Sequence, residues 1–127
     1  EGLQAGFDRH ALASRAMVAG LEGLGLKIFG DKQHKMPNVT GVYIPKGIDG
    51  EAARADMLHD FGIEIGTSFG PLHGMIWRIG AMGYNCQKQN ILTCLAALEA
   101  TLRQHNVSMP AGNGVTAALA EYRAVGQ

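Results

Sequence analysis

Apolar positions along the chain predict four helices. The clearest helical stripe repeats every three or four residues, and its members are Ile91, Leu95, Leu98 and Leu102. Asn85 precedes this segment and is predicted to be its N-cap. A second stripe predicts an opening helix that ends near Gly25, where glycines accumulate. The members of that stripe are Leu3, Phe7, Ala11, Val18 and Leu21.

Two shorter helices are predicted from local signals at their ends. Asp49 is a typical N-cap for the segment 50–61, and Gly62 is a typical C-terminal stop. The apolar side of this helix is predicted to comprise Ala55, Leu58 and Phe61. The last helix is predicted in "VTAALAEYRAV". Its apolar side is predicted to comprise Val115, Leu119 and Tyr122.

Three segments have the composition of strands. "VTGVYIP" alternates and is stopped by Pro45, "IEI" is a brief apolar run, and "MIWRIG" follows a glycine-rich loop from Gly66 to Gly74. The order of elements is therefore α, β, α, β, β, α, α. This order predicts an α+β fold, in which a small mixed sheet packs against helices in a two-layer sandwich.

Length and charge limit the classes of function. A chain of 127 residues fits one domain, and its 11 basic and 11 acidic residues cancel. Neither nucleic acid nor a membrane is expected as a partner. The expected partner is a small molecule or a soluble protein. Cys86 and Cys94 lack metal-type spacing, so we expect reduced thiols and a cytoplasmic location. The chain begins at Glu1 without a methionine, which suggests a piece of a longer protein.

Ser68 lies in a G-x-S-x-G pattern, which is also found at the nucleophile of serine hydrolases. That chemistry requires a helix directly after the serine, but here the chain returns to a strand at Met75. The downstream acid and base reduce to Glu99 and His105, whose spacing on one helix points them in different directions. A serine in a turn is therefore the favoured interpretation, and no catalytic nucleophile is predicted.

No metal site is predicted either. The histidines have no pair at metal-ligand spacing, and they are His10, His34, His59, His73 and His105. Hydrogen-bonded or solvated histidines are the expected outcome.

Arg78 is the strongest candidate for ligand binding. It lies between Trp77 and Ile79 in an apolar strand, and a desolvated arginine requires an anionic partner. Its planar guanidinium suits a carboxylate held by two parallel hydrogen bonds, and Gly80 and Gly83 leave space beside it. These residues alone leave two alternatives open: binding of a ligand carboxylate, or a structural ion pair with Glu64 on the preceding strand.

The block "GIEIGTSFGPLHGMIWRIGAMGYN" and the helix "QNILTCLAALEATL" closely resemble the C-terminal region of class V pyridoxal-phosphate aminotransferases. The opening "EGLQAGFDRH" resembles the long helix that leads into the small domain of that family. The resemblance implies residues 1–25 as this helix, 26–106 as the α+β core of the C-terminal small domain, and 107–127 as a C-terminal extension. Alanine–glyoxylate and ureidoglycine–glyoxylate enzymes are the members most similar to it.

The resemblance also implies roles for particular residues. The arginine of the family's W-R-I-G segment binds the substrate α-carboxylate, and it corresponds to Arg78. Thr67 and Ser68 lie in a turn near the substrate and are candidate substrate contacts. Pyridoxal 5'-phosphate is the implied cofactor. The lysine that binds it belongs to the family's large domain, so this chain is expected to contain no cofactor-binding or catalytic residue.

The function implied is transfer of an amino group to glyoxylate, with (S)-ureidoglycine of purine catabolism as the first candidate donor. Alanine or serine as donor is the alternative within the same family. A non-catalytic α+β module that binds a small carboxylate through Arg78 is the alternative from another class. The full-length enzyme is expected to be a homodimer, and the isolated fragment to be inactive.

Overall fold

The computed structural model describes residues 2–30, 39–67, 74–80, 87–109 and 111–127, without the side chains of Phe7 and Val39. The elements in these ranges follow the predicted order of helices and strands, which confirms the α+β class. They are α1 (Leu3–Gly23), β1 (Val39–Tyr43), α2 (Gly50–Phe61), β2 (Gly66–Thr67), β3 (Ile76–Gly80), α3 (Lys88–Gln104) and α4 (Asn113–Ala124).

The three strands form one sheet in the order β1-β3-β2, so β3 is central. Both pairs are antiparallel, where a mixed sheet had been predicted. Residues 27–29 extend the other edge of β1: the amide of Phe29 donates to the carbonyl of Gly41, and that of Tyr43 to the carbonyl of Lys27, each at 2.9 Å. A bridge between Ile28 and Val42 lies between these two bonds. The sheet is therefore wider than its three named strands.

The predicted strand at "IEI" is wrong, because pairing with β3 begins at Gly66. The backbone of this segment bonds to α2 instead. The amide of Ile63 donates to the carbonyl of Met57 at 3.2 Å, at the end of that helix. The carbonyl of Ile65 accepts a bond of 2.7 Å from Nε of Arg54. With these groups engaged by the helix, the glycine-rich segment supplies the strand.

Helix α2 confirms its predicted ends but not its predicted face. The Asp49 carboxylate accepts bonds from the amides of Glu51 and Ala52, and Gly62 adopts the left-handed conformation with φ of 68°. However, Leu58 and Phe61 are 52% and 45% exposed, and the buried residues are Ala53 and Met57. The spacing of apolar residues showed which side chains share a side, whereas tertiary contacts decided which side is covered.

Helix α3 has the predicted apolar stripe, and all four of its members are buried. The helix begins later than predicted, at Lys88, with Gln87 at the N-cap position and without a side-chain cap. Asn85, the predicted cap, lies outside the described residues. The stripe depends on the helical repeat alone, which explains why this prediction was the most accurate one.

Helices α1, α3 and α4 pack together in a layer that we call the helical layer. Its glycines allow close approach: a Cβ at Gly114 would lie 2.8 Å from the Leu24 side chain, and one at Gly23 would lie 2.7 Å from the carbonyl oxygen of Asn113. A Cβ at Gly20 would overlap the side chain of Leu95. In α4, Tyr122 is buried, whereas Val115 and Leu119 are only partly buried, and the other buried residues are Gly114 and Ala118.

The predicted stripe of α1 is only partly correct. Leu21 is fully buried, but Leu3 is 80% exposed. The buried α1 side chains are those of Leu12, Ala13, Ser14, Ala16, Met17 and Leu21. Small residues permit the closest helix contacts, so a prediction from large apolar side chains misplaces the covered face. The division of the chain at residues 25 and 106 stays a prediction.

Candidate ligand-binding face around Arg78

Arg78 occupies the middle position of the central strand, and its side chain is exposed. The residue paired with it on β1 is Gly41, and the residue paired with it on β2 is Gly66. Directly opposite residues of an antiparallel pair project to the same side of the sheet. We call this side of the sheet the Arg78 face. The guanidinium thus rises from a row in which both neighbouring residues lack a side chain.

The residues on either side of Arg78 anchor the strand in the hydrophobic core on the opposite side of the sheet. Trp77 is fully buried and Ile79 is 4% exposed, and both belong to the hydrophobic core. Val42, the partner of Trp77, is also fully buried. Anchoring residues on both sides of Arg78 fix the direction of its Cα–Cβ bond, because successive side chains of a strand alternate between faces. One cost is visible: Nε1 of Trp77 is buried and has no hydrogen-bond partner in the described structure.

The described structure does not support the structural ion pair between Arg78 and Glu64. Glu64 is exposed and lies before β2. The side chain of Arg78 has no hydrogen-bond or ion-pair partner among the described residues, whereas those of Arg54 and Arg103, for example, form ion pairs with Glu51 and Glu99. The guanidinium is therefore available to an external anion, so far as the described residues show.

An aromatic cluster bounds one side of Arg78. Ring atoms of Phe29 lie 3.3 Å and 3.8 Å from the position that a Cβ of Gly41 would take. Phe29 also contacts Tyr43 edge to face, with 5.6 Å between the ring centroids. Nζ of Lys27 lies 5.8 Å from the centroid of Tyr43. The Arg78 face thus has an apolar wall with a second cation behind it.

Sequence analysis missed Gly41, Gly66 and Phe29 as neighbours of Arg78. It attributed the free space to Gly80, which is exposed on the same strand, and to Gly83, which lies outside the described residues. No local signal could have identified the three, because their proximity to Arg78 depends on strand register. The glycine in "VTGVY" was the only hint, since glycine is uncommon inside a strand.

The two other candidate substrate contacts differ in position. Thr67 is paired with Trp77, so the register places its side chain on the opposite side of the sheet from Arg78. Ser68 lies outside the described residues. Their contact with substrate stays a prediction. Thr67 could approach a ligand on the Arg78 face only through its backbone.

No family model matches the chain. All 127 residues are 53% identical to the (S)-ureidoglycine–glyoxylate transaminase of Bacillus subtilis, of which they cover 30%. The chain is also 34% identical over 104 residues to the alanine–glyoxylate aminotransferase of Callithrix jacchus, covering 81% of this chain and 25% of that one. The crystal structure of the B. subtilis ureidoglycine–glyoxylate aminotransferase has a TM-score of 0.93 and 54% identity, covering 97% of this chain and 32% of that one.

Over its whole length the chain is similar to class V aminotransferases. It matches the C-terminal part of aminotransferase structures and spans less than a third of the length of the curated relatives named above. Homologous class V aminotransferases are pyridoxal-phosphate enzymes. The described fold, including the Arg78 face, thus corresponds to one part of the fold of these relatives.

Several other titratable side chains among the described residues have hydrogen-bond partners. Nε2 of His105 lies 2.7 Å from Oδ2 of Asp56 and links α3 to α2. Nδ1 of His10 lies 2.8 Å from the carbonyl oxygen of Gly6. At the exposed His59, the hydrogen bond to Asp60 raises the pKa of the imidazole above its ordinary value. Across the described ranges, no three His, Cys, Asp or Glu side chains are grouped in a way that could hold a metal ion.

Cys94 lies beside a cavity of about 530 Å³ on the helical side of the sheet, lined also by Met17, Ile79 and Ile91. Burial raises the pKa of its thiol from 9.0 to about 11. A thiol with such a pKa is almost entirely protonated at neutral pH and is a poor nucleophile. None of the helices in the described ranges is long and apolar enough to span a membrane.

Proposed function

We propose that this chain provides the substrate-carboxylate site of a pyridoxal-phosphate-dependent aminotransferase that transfers an amino group to glyoxylate. The observation that carries the proposal is the exposed Arg78 on the central strand, whose side chain has no partner among the described residues and which is flanked by glycines on both neighbouring strands. Two parallel hydrogen bonds from the guanidinium would hold a carboxylate in one orientation. That orientation would direct the amino or oxo carbon of the substrate away from the sheet.

The same arginine serves both halves of the proposed reaction. The amino-acid donor and the oxo-acid acceptor each carry a carboxylate next to the reacting carbon, so one clamp positions both. The buried Trp77 and Ile79 stiffen the strand on either side of Arg78. A positioned guanidinium therefore binds without the cost of first ordering its backbone.

We propose that this chain does not itself hold the cofactor. Pyridoxal phosphate requires a lysine for covalent attachment, together with a cup for its phosphate. Among the described lysines, Nζ of Lys27 lies over the Tyr43 ring, Lys46 is exposed, and Nζ of Lys88 donates to the carbonyl of Gln127 at 2.7 Å. We therefore place the cofactor in the part of the relatives' length that this chain does not cover, and its chemistry would be supplied there.

(S)-Ureidoglycine is the donor that we propose, because the 53% identity extends over the whole chain to an enzyme named for that substrate. Alanine or serine is the second candidate, since an alanine–glyoxylate aminotransferase of Callithrix jacchus is 34% identical over 104 residues. Rates with these three donors, measured with glyoxylate as acceptor, decide between them. The homodimer and the cytoplasmic location stay predictions.

Substitution of Arg78 in the full-length protein tests the proposed clamp. We expect Arg78→Ala to lower kcat/KM for donor and acceptor alike. The decrease should correspond to a loss of roughly 2 to 5 kcal/mol of transition-state stabilisation, by analogy with loss of one partner of a desolvated charge pair. Arg78→Lys should restore only part of this loss, because an ammonium keeps the charge without the planar fork. Arg123→Ala, which removes an exposed arginine of α4, is the matched control and should leave the kinetics unchanged.

The melting temperature of each variant must be measured beside the kinetics. If Arg78→Ala destabilises the protein while kcat/KM stays normal in the folded fraction, Arg78 has a structural role and the proposal is wrong.

A further inference from the structure

The two glycines beside Arg78 are not equivalent. On the β1 side, Phe29 already occupies the space in front of Gly41, with ring and Cβ atoms 3.3 to 3.8 Å from the position of an added Cβ. On the β2 side, the only described atoms near an added Cβ of Gly66 are the carbonyl oxygen and the Cβ of Arg78, at 3.4 and 3.5 Å. Gly66 is itself exposed, on an edge strand. Within the described residues, the surface beside Arg78 is therefore walled on one side and open on the other.

Nothing in the backbone requires glycine at position 66. Its φ lies outside the left-handed range, in contrast to Gly62 and Gly74, whose φ values are 68° and 79°. An added Cβ would meet Arg78 at ordinary van der Waals distances. Position 66 therefore tolerates a side chain sterically, and an edge strand usually favours residues other than glycine. The missing side chain has its main consequence for the space beside the guanidinium.

We propose that Gly66 determines the size of the substituent on the α-carbon of the carboxylic acid bound by Arg78. This inference rests on the proposed function of Arg78 as a carboxylate clamp. A carboxylate held by the guanidinium would lie on the Arg78 face, above the row Gly41–Arg78–Gly66. Phe29 blocks the β1 side, so the substituent of an amino or oxo acid projects over Gly66. A side chain at position 66 would occupy that volume.

A graded series of substitutions in the full-length protein tests this specificity role. The acceptors are glyoxylate, pyruvate and 2-oxobutyrate, which differ only in the size of the substituent. We expect Gly66→Ala to raise the ratio of kcat/KM for glyoxylate over 2-oxobutyrate about tenfold, and Gly66→Val to raise it about a hundredfold, the range found when one methylene is excluded from a pocket. Glyoxylate, which has no substituent, should be affected least.

Gly41→Ala is the matched comparison, because it adds the same methyl group to the other neighbour of Arg78. Phe29 must shift by a few tenths of an ångström to admit it, so we expect a lower melting temperature. The acceptor ratio should change by less than about twofold, since that side is already filled.

The outcomes separate the inference from the proposed function. Suppose that Arg78→Ala lowers kcat/KM for all three acceptors, but that Gly66→Ala and Gly66→Val leave the ratios of kcat/KM between acceptors unchanged or lower all three values equally. Gly66 then does not determine specificity, and only this inference is wrong. If Arg78→Ala has no effect on the kinetics, the clamp itself is wrong and this inference falls with it. If circular dichroism and thermal melting show that Gly66→Val does not fold, the ratios of kcat/KM measured for Gly66→Ala decide whether this inference holds.

Discussion

Glycines line both the helical layer and the Arg78 face, but they meet opposite surroundings. In the helical layer, the positions that a Cβ would take at Gly20, Gly23 and Gly114 are already occupied by atoms of neighbouring helices. On the Arg78 face, Gly66 has open space around it, as far as the described residues extend. In the first region the absence of a side chain permits close packing, and in the second it leaves the surface beside Arg78 uncovered by the described residues.

The difference extends to charge and burial. The helical layer contributes most of the fully buried large side chains in the described structure, among them Met17, Leu95 and Leu98. The Arg78 face carries an exposed arginine whose side chain has no partner among the described residues. Close packing stabilises the folded state, while a binding surface must stay uncovered and gains nothing for stability until a ligand arrives. Mutations in the two regions should therefore separate stability from binding.

The largest effect on stability is expected from Leu95→Ala, because Leu95 is fully buried at the contact of α3 with Gly20. Removing a buried leucine side chain leaves a cavity and should lower the free energy of unfolding by roughly 2 to 5 kcal/mol. Urea denaturation of the full-length protein measures this loss. Leu3→Ala is the matched control and should change little, since Leu3 is 80% exposed.

A loss for Leu95→Ala no greater than that for Leu3→Ala would contradict the described packing. The comparison is sharpened by kinetics, because kcat/KM of the folded Leu95→Ala variant should stay near normal.

The second prediction concerns ionisation of the Cys94 thiol in α3 and its effect on stability at alkaline pH. Burial raises the pKa of the Cys94 thiol to about 11, so the unfolded chain loses this proton first as the pH rises. The stabilising contribution of the neutral thiol is complete below pH 9 and is lost between pH 9 and about 11. The expected loss is about 3 kcal/mol in the free energy of unfolding, from two pKa units of difference.

Cys94→Ala isolates this contribution from the other groups that titrate in the same range. Denaturant unfolding curves at pH 8, 9.5 and 11 give the free energy of unfolding at each pH. Its decrease with rising pH should be smaller for the variant than for the parent protein. Equal losses in both proteins would mean that Cys94 ionises in the folded state as readily as in the unfolded one.

The smallest effect is expected from Gly20→Ala, where two contributions oppose each other. The added methyl group would overlap Leu95, and overpacking costs roughly 1 to 3 kcal/mol. Alanine also favours the helix over glycine by up to about 1 kcal/mol, which offsets part of that cost. Gly6→Ala in the same helix lies in open space and should show the favourable contribution alone.

The melting temperature should therefore fall for Gly20→Ala and rise for Gly6→Ala, each relative to the parent protein. A double variant tests the cause: Gly20→Ala should cost less in the Leu95→Ala background, because the clash is then absent. Additive effects would show that the described contact is not the reason.

Local features of the sequence were sufficient for much of this fold. The stripe from Ile91 to Leu102, the cap at Asp49 and the stop at Gly62 were each predicted from a few neighbouring residues. They could be predicted because helical periodicity and capping act over one turn of the chain. The strand around Arg78 followed in the same way from its composition.

Other predictions failed where the answer lay in distant residues. The face of α2 was misassigned, since both of its sides carry apolar residues and only packing against the rest of the molecule selects one. A strand was predicted at "IEI", but the strand begins one residue after this segment, at Gly66. The backbone of "IEI" forms its hydrogen bonds with Arg54 and with the end of α2 instead. Neither interaction has a signature within the segment itself.

By itself, the sequence determined the order of helices and strands, the placement of an arginine in an apolar strand, and the resemblance to class V aminotransferases that the comparisons confirm. Only the tertiary structure decided what surrounds that arginine. Gly41, Phe29 and Gly66 come from three separate segments, and strand register brings them into one row. Register is a property of pairing between strands, so no single segment contains it, and the proposed binding surface exists only once the sheet has formed.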